Sequence, residues 1–138
     1  MKLILKITIG IVLALLAIPA TFLGVFFWIA SDMCGNYVHE EYLSPGNSHK
    51  AVIFQRDCGA TTGFSTQISI IGAQQELGNS NGNIYIIDGH PDEVALALKW
   101  VSESTLSISR PLNGTEYKAE HNWGWINRVK VEYGAGSS

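Results

Sequence analysis

The chain has 138 residues, a formal net charge of −3, two cysteines and 15% charged residues. That length holds one ordinary domain plus an appendage, and it excludes a two-domain enzyme, a (β/α)8 barrel or a complete β-propeller. Mild acidity without a basic run argues against nucleic acid as a partner, and two cysteines exclude a dense disulfide scaffold or a four-cysteine zinc site. The charged fraction is well below the ~25% of a typical soluble domain, so part of the chain is not ordinary soluble protein.

That part is N-terminal. Lys2 and Lys6 are followed by an uncharged stretch from Ile7 to Ser31, and the next charge is Asp32. As a helix the stretch would extend about 37 Å, at ~1.5 Å per residue, and so crosses a hydrocarbon core of ~30 Å with room for tilt. The nearest approach to a signal-peptide cleavage site is Ala17-Ile18-Pro19-Ala20. Residues 21–30 remain apolar beyond it, and cleavage there would leave a greasy terminus. The expectation is an uncleaved, single-pass anchor over residues 1–31, meeting the lipid bilayer through residues 7–31. Pro19 falls mid-span, where membranes tolerate it, and Trp28 falls where an interfacial aromatic belongs. The positive-inside rule puts Lys2 and Lys6 in the cytoplasm and the rest of the chain in a periplasm or outside the cell.

Residues 34–133 read as the exported domain and 134–138 as a flexible tail. Counting from Glu40 onward, the domain has eleven acids against seven Lys and Arg, a net charge of −4. In an oxidising compartment the lone Cys34 and Cys58 are expected to pair. The alternatives are two free thiols, or Cys58 as a nucleophile with a histidine as base. Ser44-Pro45-Gly46-Asn47 is a turn. Residues 50–56 form an apolar run of strand length. Residues 66–71 put Ile68 and Ile70 on one face, residues 78–83 are a loop of turn formers, and 84–88 is β-branched and aromatic. Residues 94–101 alternate as a strand does, although Pro91-Asp92-Glu93 before them suits a short helix. Residues 105–109 follow as a strand, and Asn113-Gly114 is a hairpin signal. The last strand is expected over 126–133, with Val129, Val131 and Tyr133 inward. The prediction is a mainly β fold, a transmembrane helix followed by a small antiparallel β-sheet or sandwich of six to seven strands.

Two resemblances accompany this reading. Ser44-Pro45-Gly46 with residues 50–54, then 98–101 and 105–108, resembles one blade of a TolB-type propeller, although the blade's usual Asp is absent and one blade cannot close a ring. The run Arg56-Asp57-Cys58-Gly59-Ala60-Thr61-Thr62-Gly63-Phe64-Ser65-Thr66-Gln67 is similar to a signature in a family of small bacterial envelope proteins that also carry an N-terminal hydrophobic segment and a Ser-Pro turn. That resemblance implies bacterial origin and export, singles out residues 56–67 and brings no activity with it; the anchor is accordingly expected in the bacterial inner membrane.

Three features compete as sites. In the first, Arg56, Asp57, Gly59, Thr61, Thr62, Gly63, Phe64 and Ser65 form a loop that either presents backbone N–H groups and hydroxyls to a ligand or partner or satisfies its own backbone. It lacks the Gly-Lys-Ser/Thr ending of a phosphate loop, so no nucleotide is expected. The second is Trp123-Gly124-Trp125, where Trp123 and Trp125 either form an exposed aromatic patch for a glycan or protein or include a core plug. The third is Asp88, His90 and Asp92 with Glu93, the densest set of metal-ligand residue types, read either as a metal site or as a solvated acidic turn. No Ser-His-Asp order and no Gly-x-Ser-x-Gly elbow is visible. The leading expectation is a non-catalytic envelope protein that binds a protein partner, for example in an immunity or inhibitor role, with no cofactor and no metal. The alternatives are a small enzyme using Cys58 or an Asp88/His90/Asp92 metal site, and an assembly subunit held by its helix.

Overall fold

The computed structural model describes residues 1–31, 33–59 and 61–134, and the chain divides into one compact unit ending at Met33 and a second beginning at Cys34. The first unit is a single helix, α1 (Lys2–Ser31), with Pro19 inside it. It is long and apolar enough to cross a membrane. Its side chains are predominantly apolar on every face and exposed, Phe22, Phe27 and Trp28 among them. The hydroxyls of Thr8 and Thr21 donate to the carbonyls of Ile4 and Ala17, at 2.9 and 2.8 Å. Each is thereby satisfied within the helix.

The second unit is built of β1 (Gly35–Leu43), β2 (His49–Asp57), β3 (Ser65–Gly72), β4 (Tyr85–Asp88), a single helical turn α2 (Pro91–Val94), β5 (Leu98–Ser102), β6 (Thr105–Ile108), β7 (Lys118–Ala119), β8 (Asn122–Trp123) and β9 (Val129–Tyr133). The strands form a five-stranded sheet in the order β1-β2-β3-β4-β7 and a four-stranded sheet in the order β5-β6-β9-β8. Ile53, Ile68, Ile70 and Tyr85 of the first sheet meet Leu98, Leu106, Ile108, Val129 and Val131 of the second in one buried cluster. The mainly β architecture expected from the sequence is therefore present.

The uninterrupted apolar run in β2 has a physical cause, because both faces of that strand are covered. Ala51 and Ile53 face the second sheet, while Val52 and Phe54 join Ile71 and Leu77 in a separate cluster on the outer face. Residues 73–83 cross that outer face and are fastened there. The Gly82 N–H donates to Gln67 Oε1 at 2.6 Å. Asn83 takes a hydrogen bond from the Ile70 N–H and returns one to its carbonyl, at 2.9 and 2.8 Å, so its side chain pairs with β3 as a strand residue would. A Cβ at Gly82 would stand 2.8 Å from the Tyr85 carbonyl, so only glycine fits.

Several boundaries differ from the sequence reading. Nine strands form among the described residues, more than six or seven, because β7 and β8 are two-residue pairings. Residues 94–101 are not one strand. The Asp92 N–H donates to His90 Nδ1 at 3.2 Å, capping α2, and Ala95 at φ +50° ends it, leaving only β5 extended. Asn113-Gly114 closes no hairpin, since β6 and β7 lie in different sheets. Its polar groups close locally instead, with Asn113 Oδ1 accepting from the Thr115 N–H at 3.1 Å and Glu116 accepting from the Gly114 N–H at 2.9 Å. One pair is parallel, β6 with β9. No crossover helix is needed, because the connection passes through β7 in the opposite sheet. Of the expected tail, Gly134 is tied down, its N–H donating to Ile108 O at 2.9 Å, and 135–138 lie outside the described residues.

Candidate functional site

The strand register sorts the candidate residues to two ends of the domain. Cys34 enters at one end. Gly35 lies opposite Asp57, Arg56 opposite Ser65, and Ser65 opposite Asp88, so the 58–64 loop and the 89–93 turn share this entry end. The 44–48 turn, the 103–104 turn and the loop between β8 and β9 share the far end, because Thr105 lies beside Lys130 and Glu103 binds the 44–48 turn. The nine residues of β1 separate the two ends, roughly 30 Å at ~3.3 Å per residue.

At the entry end, polar chemistry turns inward. Cys34 and Cys58 form a disulfide across a sequence separation of 24, so Cys58 offers no thiolate in this state. Arg56, a candidate ligand contact by sequence, is committed to the fold. Its guanidinium donates to Asn36 Oδ1 at 2.7 Å and to the Asn79 carbonyl at 3.1 Å. Asn79 in turn donates to Cys34 O at 2.7 Å, so these residues pin the crossing 73–83 segment to the start of the domain. Asp57 Oδ1 accepts from the Gly59 N–H at 2.9 Å, and the Thr62 N–H donates to Gly59 O at 3.1 Å. Ser65 Oγ accepts from Gln67 Nε2 at 2.9 Å. The loop satisfies its own backbone. Thr61 and Gly63 are exposed and Ala60 lies outside the described residues.

Phe64 leaves that pattern. It is 45% exposed and meets the His90 ring edge-on at 5.8 Å. Gly63, Phe64, Asp88, Gly89, His90 and Glu93 line an open depression of ≈ 450 Å³, so the end of the 56–65 loop and the 89–93 turn meet. Asp88 accepts from the Tyr117 hydroxyl at 2.9 Å. Asp92 stands 3.3 Å from His90 and 3.9 Å from His39. Among the described residues no three His, Cys, Asp or Glu side chains gather as a metal-holding group, so Asp88, His90 and Asp92 do not form the metal site considered from the sequence.

The far end is built differently. Glu103 accepts from Ser44 Oγ at 2.9 Å, from the Gly46 N–H at 2.6 Å and from Ser48 Oγ. The Ser48 and Gly46 hydrogen bonds hold its carboxyl below the usual glutamate range, with smaller contributions from Ser44 and His49. The two turns are thereby clamped together. His49 packs edge-on against Trp123 at 5.2 Å, and Trp123 packs against the inter-sheet core. Trp123 is thus a partly buried structural residue and not half of an exposed aromatic pair.

Trp125 is the opposite case. Trp123 lies opposite Val129, which makes 124–128 the loop of a β-hairpin. Gly124 has φ +88°, and a Cβ there would stand 3.1 Å from the Asn127 carbonyl, so the loop is folded tightly on itself. Trp125 and Ile126 at its tip are each 94% exposed. The last strand is therefore shorter than the 126–133 expected from the sequence, because β9 begins at Val129 and Ile126 lies in the loop. The Gly124 and Asn127 turn chemistry on either side of the pair was the available signal for a loop. Glu103 and Arg128 carry no motif that marks them in the sequence. Comparison with protein-family models, with curated proteins and with solved structures finds no match to this chain.

Proposed function

We propose that this is a single-pass protein of the bacterial inner membrane whose exported β domain binds another envelope protein without chemistry of its own. The positive-inside rule supports the orientation, with Lys2 and Lys6 cytoplasmic, and a disulfide suits an oxidising compartment beyond the membrane. The observation that carries the reading is the far-end hairpin, which holds Trp125 and Ile126 in water at 94% exposure. A tryptophan and an isoleucine side by side on a tight loop gain nothing for the fold, whereas such anchors supply most of the energy in protein interfaces. A preformed loop also limits the ordering cost of binding.

The test is capture of partners by the full chain, solubilised from bacterial envelopes, beside the double variant Trp125→Ser/Ile126→Ser. The expected result is a protein retained by the wild-type chain and lost by the double variant. Equal retention by both overturns the reading.

A further inference from the structure

The far-end hairpin carries a charge as well as an apolar pair. Arg128 is the last loop residue before β9 and is exposed. The ion pairs among the described residues join His39 and His90 to Asp92, His49 to Glu103, Lys50 to Glu41 and Lys130 to Glu132, and none includes Arg128. The hairpin thus sets an exposed guanidinium without an ion pair three residues from an exposed Trp, on a domain of net charge −4, the excess of eleven acids over seven bases. Resting on the protein-binding reading above, we propose that the hairpin is a plug. Trp125 and Ile126 enter an apolar slot on the partner, and Arg128 pairs with a carboxylate at the rim of that slot.

Charge and composition select this occupant. Arg128 is complementary to a carboxylate, and Trp, Arg and an aliphatic neighbour are the composition of an interface anchor with a polar rim. The loop lies at the opposite end of the strands from Cys34. The acidic surface of the domain further opposes anionic headgroups. At this end Lys130 pairs with Glu132 and His49 lies against Glu103, which leaves Arg128 as the far-end cation free for a partner among the described residues.

A photo-crosslinker incorporated in place of Ile126 in the full chain, in intact envelopes, identifies what the loop touches. The protein so identified is then purified, and its affinity for the full chain in nanodiscs is measured at low and high salt. The proposal expects Arg128→Glu to weaken binding about tenfold and to remove most of the salt dependence. Arg128→Lys should retain most of the affinity. Exchange of the partner's crosslink-adjacent carboxylate for lysine should rescue Arg128→Glu. Wild-type affinity for Arg128→Glu overturns the carboxylate-rimmed slot while leaving the protein-binding reading intact. Wild-type affinity for Trp125→Ser/Ile126→Ser overturns both. Crosslinks only to lipid, only to a second copy of this chain, or to nothing also overturn the proposal.

Discussion

The 56–65 segment (the 58–64 loop with its flanking strand ends) and the 124–128 loop have contrary relations between composition and availability. The first is rich in glycine, hydroxyls and charge, the usual chemistry of a binding loop. Its groups are nevertheless used internally, by Arg56 on Asn36 and Asn79, Asp57 on Gly59, and Thr62 on Gly59. The second has few polar groups, and the fold leaves its apolar pair in water. Polar side chains near a backbone that needs partners are consumed by it, whereas an apolar side chain at a hairpin tip has nothing local to bury against. An exposed large apolar residue is thus the more informative sign of function in this domain.

The largest effect that would break this contrast lies in the disulfide. Replacing Cys34 or Cys58 with serine opens a closed loop set by a separation of 24 residues, which costs about 3–4 kcal/mol in the chain-entropy model. Urea denaturation should show that loss, and an unchanged midpoint would make the entry end ornamental. Arg56→Ala comes next. Losing hydrogen bonds from a charged group, and leaving Asn36 and Asn79 without their partner, should cost about 2 kcal/mol. Proteolysis within 73–83 should also accelerate, because Arg56 fastens that segment. A stability equal to wild type would return Arg56 to the list of free ligand contacts.

A smaller effect is set by pH at the far end. Hydrogen bonds from Ser48 and Gly46 hold the folded-state pKa of Glu103 below its ordinary value of 4.5. Its contribution to stability is therefore present above about that pH and is lost as pH falls through the lowered folded value. Thermal melts between pH 6 and roughly pH 3 should show a decline that is shallower in Glu103→Gln, because the variant has no carboxylate to protonate. Parallel profiles would mean that the clamp on the 44–48 turn contributes nothing.

The regularities with long range in the sequence were legible, and those depending on tertiary neighbours were not. The helix of residues 2–31 followed from an uninterrupted apolar stretch, and β2, β3 and β9 from their apolar runs. The Cys34–Cys58 pair followed from cysteine arithmetic. The roles of Arg56 and Trp123 depend on Asn79 and His49, which come from distant parts of the chain. Alternation over 94–101 signalled a strand, but the His90 cap and the left-handed Ala95 decide the local backbone. The parallel pairing of β6 with β9 could not be anticipated, since it depends on the chain visiting the opposite sheet between them.

The central claim is that the hairpin, and not the polar loop, carries binding. Two double variants of the full chain decide it, Trp125→Ser/Ile126→Ser at the far end and Thr61→Ala/Thr62→Ala at the entry end. Both change exposed side chains, so each should unfold within about 0.5 kcal/mol of wild type. Binding to the crosslinked partner is then compared at equal folded concentration. The account predicts loss of binding for the first and wild-type affinity for the second, and the reverse result would contradict it.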